Sequence, residues 1–199
     1  MKNWSSVDCV NSRCFIDFLS LTVNGQSKSI LIVMDAFSRF LFTRLMSDLK
    51  ASTFVYTIFE LQQTFGKFNE ICVDQGSQFI NKLFFSACKL YNIKIIELSS
   101  RRHRSLSVER HIQTLKTRLR LSLSHTTSHF DLILSTVTSA INNTFKPILN
   151  ATPSFLYFRR VLTPLTTPQV DPQIILPMKF KTTFADLIQS YCFSLPYCR

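Results

Sequence analysis

Two long apolar segments on either side of Asn24-Gly25 constrain the fold of this chain most strongly. Residues 14–23 are mostly apolar, β-branched or aromatic, and residues 29–34 read SILIVM. Such runs are typical of strands, and a nearly unbroken apolar run is typical of a strand that is buried on both faces. Because Asn-Gly favours a tight hairpin turn, the sequence predicts a buried β-hairpin, followed by a third antiparallel strand at residues 39–45.

The hydrophobic period changes after residue 50. Apolar side chains recur at helical spacing through residues 51–65 and again through residues 80–91. The second stripe consists of Ile80, Leu83, Phe84, Ala87, Cys88 and Tyr91. Short apolar segments at residues 69–73 and 93–96 are predicted as strands. The order is then β-β-β-α-β-α-β followed by helices, which predicts an α/β domain with a mixed five-stranded sheet and helices on its faces.

Two more helices are predicted towards the C-terminus. Residues 107–123 carry an apolar stripe, and a polar stripe lies roughly 80° further round the helix axis. The apolar stripe consists of Ile112, Leu115, Leu119 and Leu123, and the polar one of Glu109, Gln113, Lys116 and Arg120. A second apolar stripe predicts a helix from Phe130 to about Asn142.

The sequence divides into three parts. Residues 1–10 are a lead-in and residues 11–150 are the predicted core domain. Prolines interrupt residues 151–199, where no period is sustained, so this part is predicted to be an irregular extension.

The charge of the chain favours an anionic partner. It has 23 Lys and Arg against 12 Asp and Glu, a net charge of +11. Such an excess is typical of proteins that bind nucleic acid or an acidic membrane surface. Over half of it falls between residues 101 and 120, where Glu109 is the one acid among seven basic residues: Arg101, Arg102, Arg104, Arg110, Lys116, Arg118 and Arg120.

Targeting and redox signals favour a nuclear or cytoplasmic protein. The first ten residues lack the apolar centre of a secretion signal, and no stretch of about 18 apolar residues predicts a membrane span. The six cysteines form no Cys-x-x-Cys pair and are expected to be reduced thiols rather than zinc ligands or disulfides. They are Cys9, Cys14, Cys72, Cys88, Cys192 and Cys198.

Three acidic residues stand where they could carry chemistry. Asp74 follows a short apolar strand and precedes Gln75-Gly76, which places it at a sheet edge, although an Asp that stabilises its own turn would look the same. Asp17 interrupts an apolar strand, where a carboxylate is costly unless it is paired, metal-bound or facing water at a sheet edge. Glu109 is predicted near the start of a helix, where a surface acid is also common because the helix dipole favours it.

Taken together, these acids suggest a metal site. Two carboxylates and a substrate phosphate commonly hold Mg²⁺, and a two-metal site activates an attacking oxygen and stabilises the leaving one. Asp17, Asp74 and Glu109 are therefore the candidate ligands, and the surrounding basic residues would hold a phosphate backbone.

Five segments, in order, resemble the catalytic core of retroviral and long-terminal-repeat retrotransposon integrases. Asp17 lies in a segment similar to that family's first strand, and Asp74 and Glu109 lie in segments similar to its second and third acidic motifs. The segments span most of the chain, from about residue 15 to residue 160. They are FIDF (15–18), VMDAFSRF (33–40), VDQGSQF (73–79), VERHIQTLK (108–116), and Asn142-Asn143-Thr144 with the stretch from Thr152-Pro153 to Arg159.

The resemblance implies an RNase H-like fold and a polynucleotidyl transferase that nicks donor DNA and joins its 3′ ends to target DNA. It implies two Mg²⁺ or Mn²⁺ ions on Asp17, Asp74 and Glu109, and a homo-oligomer, because integration requires two DNA ends. The residues expected to contact DNA are Arg101, Arg102, Arg104, Arg110, Gln113, Lys116 and Arg120.

Two departures from the family pattern keep a second hypothesis open. Glu109 follows Asp74 by 35 positions, about one fewer than is usual in the family, and Ser105-Leu106 stand where the family usually carries Asn-Gly. The alternative is a catalytically inactive integrase core that binds nucleic acid or serves in assembly. A basic membrane-surface protein fits less well, since the basic cluster lies within ordered motifs.

Two other acids are given lesser roles. Asp35 matches an acid that is common in the family but is not usually a metal ligand, so a structural or turn role is predicted. Asp8 competes with Asp17 as the first acid of the site, but its neighbours, Val7 and Cys9, match the family motif less well.

Overall fold

The chain folds around a five-stranded mixed sheet with the order β3-β2-β1-β4-β5. In the computed structural model, residues 7–74, 81–98, 105–123, 129–160 and 162 are described, with the backbone alone for residues 105–109. The strands are β1 (Arg13–Val23), β2 (Gln26–Asp35), β3 (Leu41–Met46), β4 (Glu70–Asp74) and β5 (Lys94–Leu98). The first three pair antiparallel, while β1, β4 and β5 pair in parallel. The predicted mixed sheet is confirmed.

The hairpin between β1 and β2 turns where the sequence predicts. Asn24 and Gly25 both have positive φ angles, 51° and 74°, which a two-residue turn of the type I′ family requires. Val23 and Gln26 are the last paired residues before this turn. The turn therefore sets the register of the two long strands.

Helices cover both faces of the sheet, as predicted. They are α1 (Ala51–Phe65), α2 (Lys82–Leu90), α3 (Ser105–Leu123), α4 (Phe130–Asn143) and α5 (Pro153–Phe158), with a 3₁₀ turn at Pro147–Leu149. Buried side chains of α1, α2 and α5 form a core with one face, and those of α3 and α4 form a core with the other. β1 supplies both cores in alternation, with Cys14 and Ile16 in the first and Phe15 and Leu19 in the second, which is why most of its residues are apolar.

A charged ladder joins the starting ends of the three parallel strands. Arg13 on β1 pairs with Glu70 on β4 at 2.7 Å, and Lys94 on β5 pairs with the same carboxylate at 2.8 Å. Partial burial opposes ionisation of Glu70, but the hydrogen bonds from Lys94 and Arg13 outweigh it and hold the pKa of this carboxyl below its usual value. The ladder aligns β1, β4 and β5 at the sheet edge opposite Asp74.

Helix α4 is fixed to the edge strand β3 by a buried side chain. The Asn142 side chain accepts from the Leu41 N–H and donates to the Leu41 carbonyl, both at 2.8 Å. Thr43 and Thr138 add a hydroxyl contact of 2.8 Å. The backbone groups of Leu41 that face away from β2 therefore have partners, as buried backbone groups require.

The sequence predicts an irregular extension after residue 150, and the structure differs there. Pro153 begins α5, and the Thr152 hydroxyl caps it by accepting from the Phe155 N–H at 3.1 Å. Tyr157 stacks on Phe40 at 4.8 Å and donates its hydroxyl to Asn11. The folded body thus continues to the end of α5. Sequence periodicity does not detect this part, because a short capped helix and the side chain of Tyr157 hold it in place, and no long apolar stripe is present. Residues 161 and 163–199 lie outside the described part.

Candidate active site

Asp17 and Asp74 lie on the two central parallel strands at matching positions. The pairing of β1 with β4 runs Arg13–Glu70, Cys14–Ile71 and Phe15–Cys72, and two further residues on each strand lead to Asp17 and Asp74. Phe15 and Cys72 both belong to the core beneath α3 and α4. Because side chains alternate along a strand, Asp17 and Asp74 project from this same face.

The two acids occupy different environments at a point where the strands part. The pairing between β1 and β4 ends at Phe15 and Cys72, while β1 continues beside β2. Asp17 is half-buried, and its Oδ1 accepts from the N–H of Phe18 at 2.7 Å. Asp74 is the last residue of β4 and is exposed. Carboxyl ends of parallel strands are where open α/β sheets place their sites.

Glu109 lies on the helix that covers this face of the sheet. Leu115 and Leu119 of α3 are fully buried in the core with Phe15 and Leu19 of β1. Glu109 is in the second turn of α3, about two turns before Leu115. The helix α3 thus covers the sheet face that carries Asp17 and Asp74, and Glu109 belongs to this helix. The Glu109 side chain lies outside the described part.

The residues present fit a hard divalent cation. Two carboxylates that project from one face at matching strand positions offer the oxygen ligands that Mg²⁺ and Mn²⁺ prefer. Among the side chains that the structure describes, no three His, Cys, Asp or Glu form a metal-holding group. A third ligand would have to come from elsewhere, and Glu109 is the candidate on the covering helix.

Basic and polar side chains continue along α3 from Glu109. At 100° per residue, Gln113, Lys116 and Arg120 stay within roughly 40° of Glu109 and extend along about 16 Å of helix. Gln113 and Arg120 are exposed and Lys116 is half-buried. Arg110 is also exposed, but it lies about 100° round the axis. This stripe could carry a phosphate backbone to the acids, while Arg101, Arg102 and Arg104 lie outside the described residues.

Asp35 has the structural role that the sequence predicts. Its buried carboxylate accepts from the N–H of Asn11 at 2.8 Å and from the N–H and hydroxyl of Ser38 at 2.7 and 2.6 Å. Burial raises the pKa of the neighbouring Cys14 thiol, and the Asp35 carboxylate raises it further. Asp35 therefore closes the β2–β3 turn and ties it to the start of β1.

Asp8 lies away from Asp74. It is exposed and precedes β1 by five residues. Since β1 and β4 run in parallel, the start of β1 lies at the sheet edge opposite the end of β4, where Asp74 stands. Asp17 is accordingly the better placed of the two candidates for the first acid.

Sequence reasoning missed the position-holding role of Asn142. Asn142 was noted only as part of a motif, yet it is 3% exposed and holds α4 against β3. A signal was present, because Leu134, Thr138 and Asn142 recur every four residues beside the apolar stripe of α4. Polar residues that continue a buried stripe are typical of side chains with a specific hydrogen-bonding partner.

A family profile matches just over half of the chain. The family is described as "Integrase core domain", and the match covers residues 7–114, which include Asp17, Asp74 and Glu109. A comparison with curated protein sequences gives no significant match.

Solved structures of retroviral integrases share the fold. A chain of the simian T-cell lymphotropic virus intasome, solved with the PP2A regulatory subunit B56 gamma, has a TM-score of 0.69 and 20% identity over 80% of this chain. The HTLV-2 integrase catalytic core in complex with magnesium has a TM-score of 0.65 and 16% identity over 75% of this chain. The catalytic core of BIV integrase has a TM-score of 0.62 and 19% identity over 75% of this chain. This chain covers 60% of the intasome chain, 97% of the HTLV-2 core and 95% of the BIV core.

These likenesses confirm the predicted RNase H-like fold. At such low identities they bear on the arrangement of strands and helices and not on individual side chains. Within the described residues, no helix is both long enough and apolar enough to cross a membrane.

Proposed function

The chain belongs to the integrase core domain family, and from this we propose that it is a metal-dependent polynucleotidyl transferase that nicks donor DNA and joins its 3′ ends to target DNA. One observation carries the proposal: Asp17 and Asp74 follow the β1–β4 pairing at matching positions and project from the sheet face that α3 covers. Two carboxylates on neighbouring strands that project from one face offer the oxygen ligands that a shared divalent cation would use.

Asp17 and Asp74 on the sheet, together with Glu109 on α3, would hold the divalent ions. When bound, such ions activate a water or a 3′-hydroxyl for attack on a phosphate and stabilise the leaving oxygen. The rigid sheet fixes two of the three carboxylates, so that the ligand geometry is set before DNA arrives.

The polar stripe of α3 would hold the DNA. Lys116 and Arg120 supply positive charge, and Gln113 supplies an amide within one turn of Glu109. These side chains stand on one side of the helix, so a phosphate backbone that follows α3 would be led towards the acids. Such contacts bind phosphate whatever the base sequence.

Integration of a donor requires two DNA ends, and we therefore propose that the chain acts as a homo-oligomer on DNA. The HTLV-2 catalytic core is described in dimeric and trimeric forms, and the simian T-cell lymphotropic virus protein in an intasome. These relatives support the proposal.

Replacing Asp74 by Asn tests the enzyme directly. The amide keeps the shape of the side chain but is a poorer ligand than a carboxylate. We expect Asp74→Asn to abolish nicking and strand transfer of labelled duplex DNA in Mg²⁺ or Mn²⁺, while DNA binding and the melting temperature are retained. Asp131→Asn, an exposed acid on α4, is the matched control and should leave both reactions intact.

A catalytically inactive DNA-binding or assembly module is the second candidate. Ser105-Leu106 at the start of α3 favours it, because this helical start stands where the family usually carries Asn-Gly. If wild-type protein binds DNA but neither nicks nor joins it with either metal ion, the inactive module is the correct function and the enzyme is not.

A further inference from the structure

The turn between α4 and α5 exposes two large apolar side chains. Residues 145–151, named here the α4–α5 turn, include Ile148, which is 93% exposed, and Phe145, which is 55% exposed. One exposed apolar residue is ordinary, but large apolar side chains grouped on one short segment indicate an interaction site. Burying the Ile148 side chain in a complex would stabilise that complex.

Hydrogen bonds hold this turn in one conformation. The Lys146 N–H donates to the Ala151 carbonyl at 3.0 Å, which closes the two ends of the turn. Inside it, the Leu149 N–H donates to the Lys146 carbonyl and the Asn150 N–H to the Pro147 carbonyl. Pro147 also fixes its own φ angle. Binding a partner here would therefore cost little conformational entropy, since the turn is already ordered.

Lys146 brings a positive charge to the α4–α5 turn. Lys146 stands between Phe145 and Ile148 in the sequence and is half-buried. Burial lowers the pKa of Lys146, and the positive charge of Arg118 lowers it further. In the part of the chain that the structure describes, no acid lies within 4 Å of either Lys146 or Arg118. An incoming carboxylate would relieve this like-charge contact.

We propose that the α4–α5 turn docks an acidic segment of a partner protein, one that carries apolar side chains beside its carboxylates. Ile148 and Phe145 would enter apolar contacts, and Lys146 would pair with a carboxylate. Ile148 is almost fully exposed, and an aliphatic side chain gains most from burial against other apolar side chains, which a protein segment offers and a phosphate backbone does not. The proposal does not depend on the catalytic role of the acids.

A display library of short random peptides tests it. We expect peptides recovered on the wild-type chain to be enriched in Asp and Glu next to Leu, Ile or Phe. The tightest of them should bind Ile148→Ser and Lys146→Glu at least about tenfold more weakly, since interface anchors commonly account for such losses. Leu90→Ser and Lys89→Glu, exposed positions at the end of α2, are matched controls and should bind the peptide as wild type does.

Four results would overturn the proposal. If the recovered peptides show no excess of Asp and Glu, or if they bind Ile148→Ser as tightly as wild type, the turn does not bind an acidic segment. If Ile148→Ser and Lys146→Glu lose as much affinity for a short DNA oligonucleotide as they lose for the peptide, the turn binds nucleic acid. Sedimentation in which Ile148→Ser converts a dimer to monomer would assign it to a second copy.

Discussion

Asp35 and Asp74 use the same side chain in opposite ways. The Asp35 carboxylate is fully buried and accepts three hydrogen bonds from Asn11 and Ser38. Asp74 is exposed at the end of β4, where a substrate or ion has access. The first arrangement stabilises the fold and leaves little capacity for a ligand, while the second leaves an accessible carboxylate.

Removing the Asp35 carboxylate should destabilise the protein strongly. Asp35→Ala leaves the N–H groups of Asn11 and Ser38 and the Ser38 hydroxyl without an acceptor, and such groups cost about 1–3 kcal/mol each when buried. We expect a loss of about 3 kcal/mol in the free energy of unfolding, measured by urea denaturation. Asp8→Ala, at an exposed position, should change it little. If the two variants unfold alike, the carboxylate of Asp35 does not hold the turn.

At the scale of elements, α4 stabilises the open edge of the sheet. Leu41 pairs with Met34 of β2 on one side, and on the other side its N–H and carbonyl bond to Asn142. Edge strands present unpaired backbone groups that invite aggregation. A single amide side chain thus satisfies the edge at the start of β3 without another strand.

Asn142→Ala should loosen this edge. Both backbone groups of Leu41 lose their partner in a buried setting, so we expect a loss of about 2 kcal/mol in unfolding free energy and faster amide hydrogen exchange at Leu41. Asn143→Ala is the matched control, because among the described residues the Asn143 amide bonds within its own helix, to Ser139. Equal effects of the two changes would contradict the assigned role.

Helix α3 is the element on which the DNA-binding proposal depends. The double variant Lys116→Glu, Arg120→Glu reverses both charges of the stripe, and we expect weaker binding to duplex DNA and a shallower salt dependence. Each lost phosphate contact lowers the slope of log affinity against log salt concentration by about 0.9. The slope should therefore fall by nearly two, measured by fluorescence anisotropy.

The double variant Lys82→Glu, Lys89→Glu makes the same change in net charge and is the control, since both residues are exposed on α2 across the sheet from α3. If the slope is unchanged in the α3 double variant, or falls equally in the α2 double variant, the stripe does not face DNA.

The long elements could be predicted from the sequence because their hydrophobic periods are sustained. β1 and β2 have near-continuous apolar runs, and α1, α3 and α4 each repeat an apolar stripe over more than three turns. Helix α5 could not be predicted in this way, because its six residues complete less than two turns. In α2 the predicted stripe was only partly right, since Phe84 and Cys88 are buried but Leu83 and Tyr91 are exposed.

The candidate site shows the same limit. The carboxylates of Asp17 and Asp74 could be proposed from their positions in and after apolar strands, and the β1–β4 pairing aligns them. The Arg13–Glu70–Lys94 ladder and the Asn142 contact to Leu41 could not be predicted, because they join residues far apart in the sequence that no local pattern connects. The role of Glu109 stays a prediction.

At the scale of the whole molecule, the acids and the fold should be linked through metal binding. Carboxylates that share a site repel one another when no cation is present, and a ligand that binds the folded state alone stabilises it by mass action. At ten times its dissociation constant, Mg²⁺ or Mn²⁺ should add about 1.4 kcal/mol, which raises the melting temperature of a chain of this size by roughly 3–5 °C. The double variant Asp17→Asn, Asp74→Asn should show no rise, while Asp131→Asn should show the full one. An equal rise in all three proteins would place the ion elsewhere, and no rise in the wild type would remove the metal from the proposal.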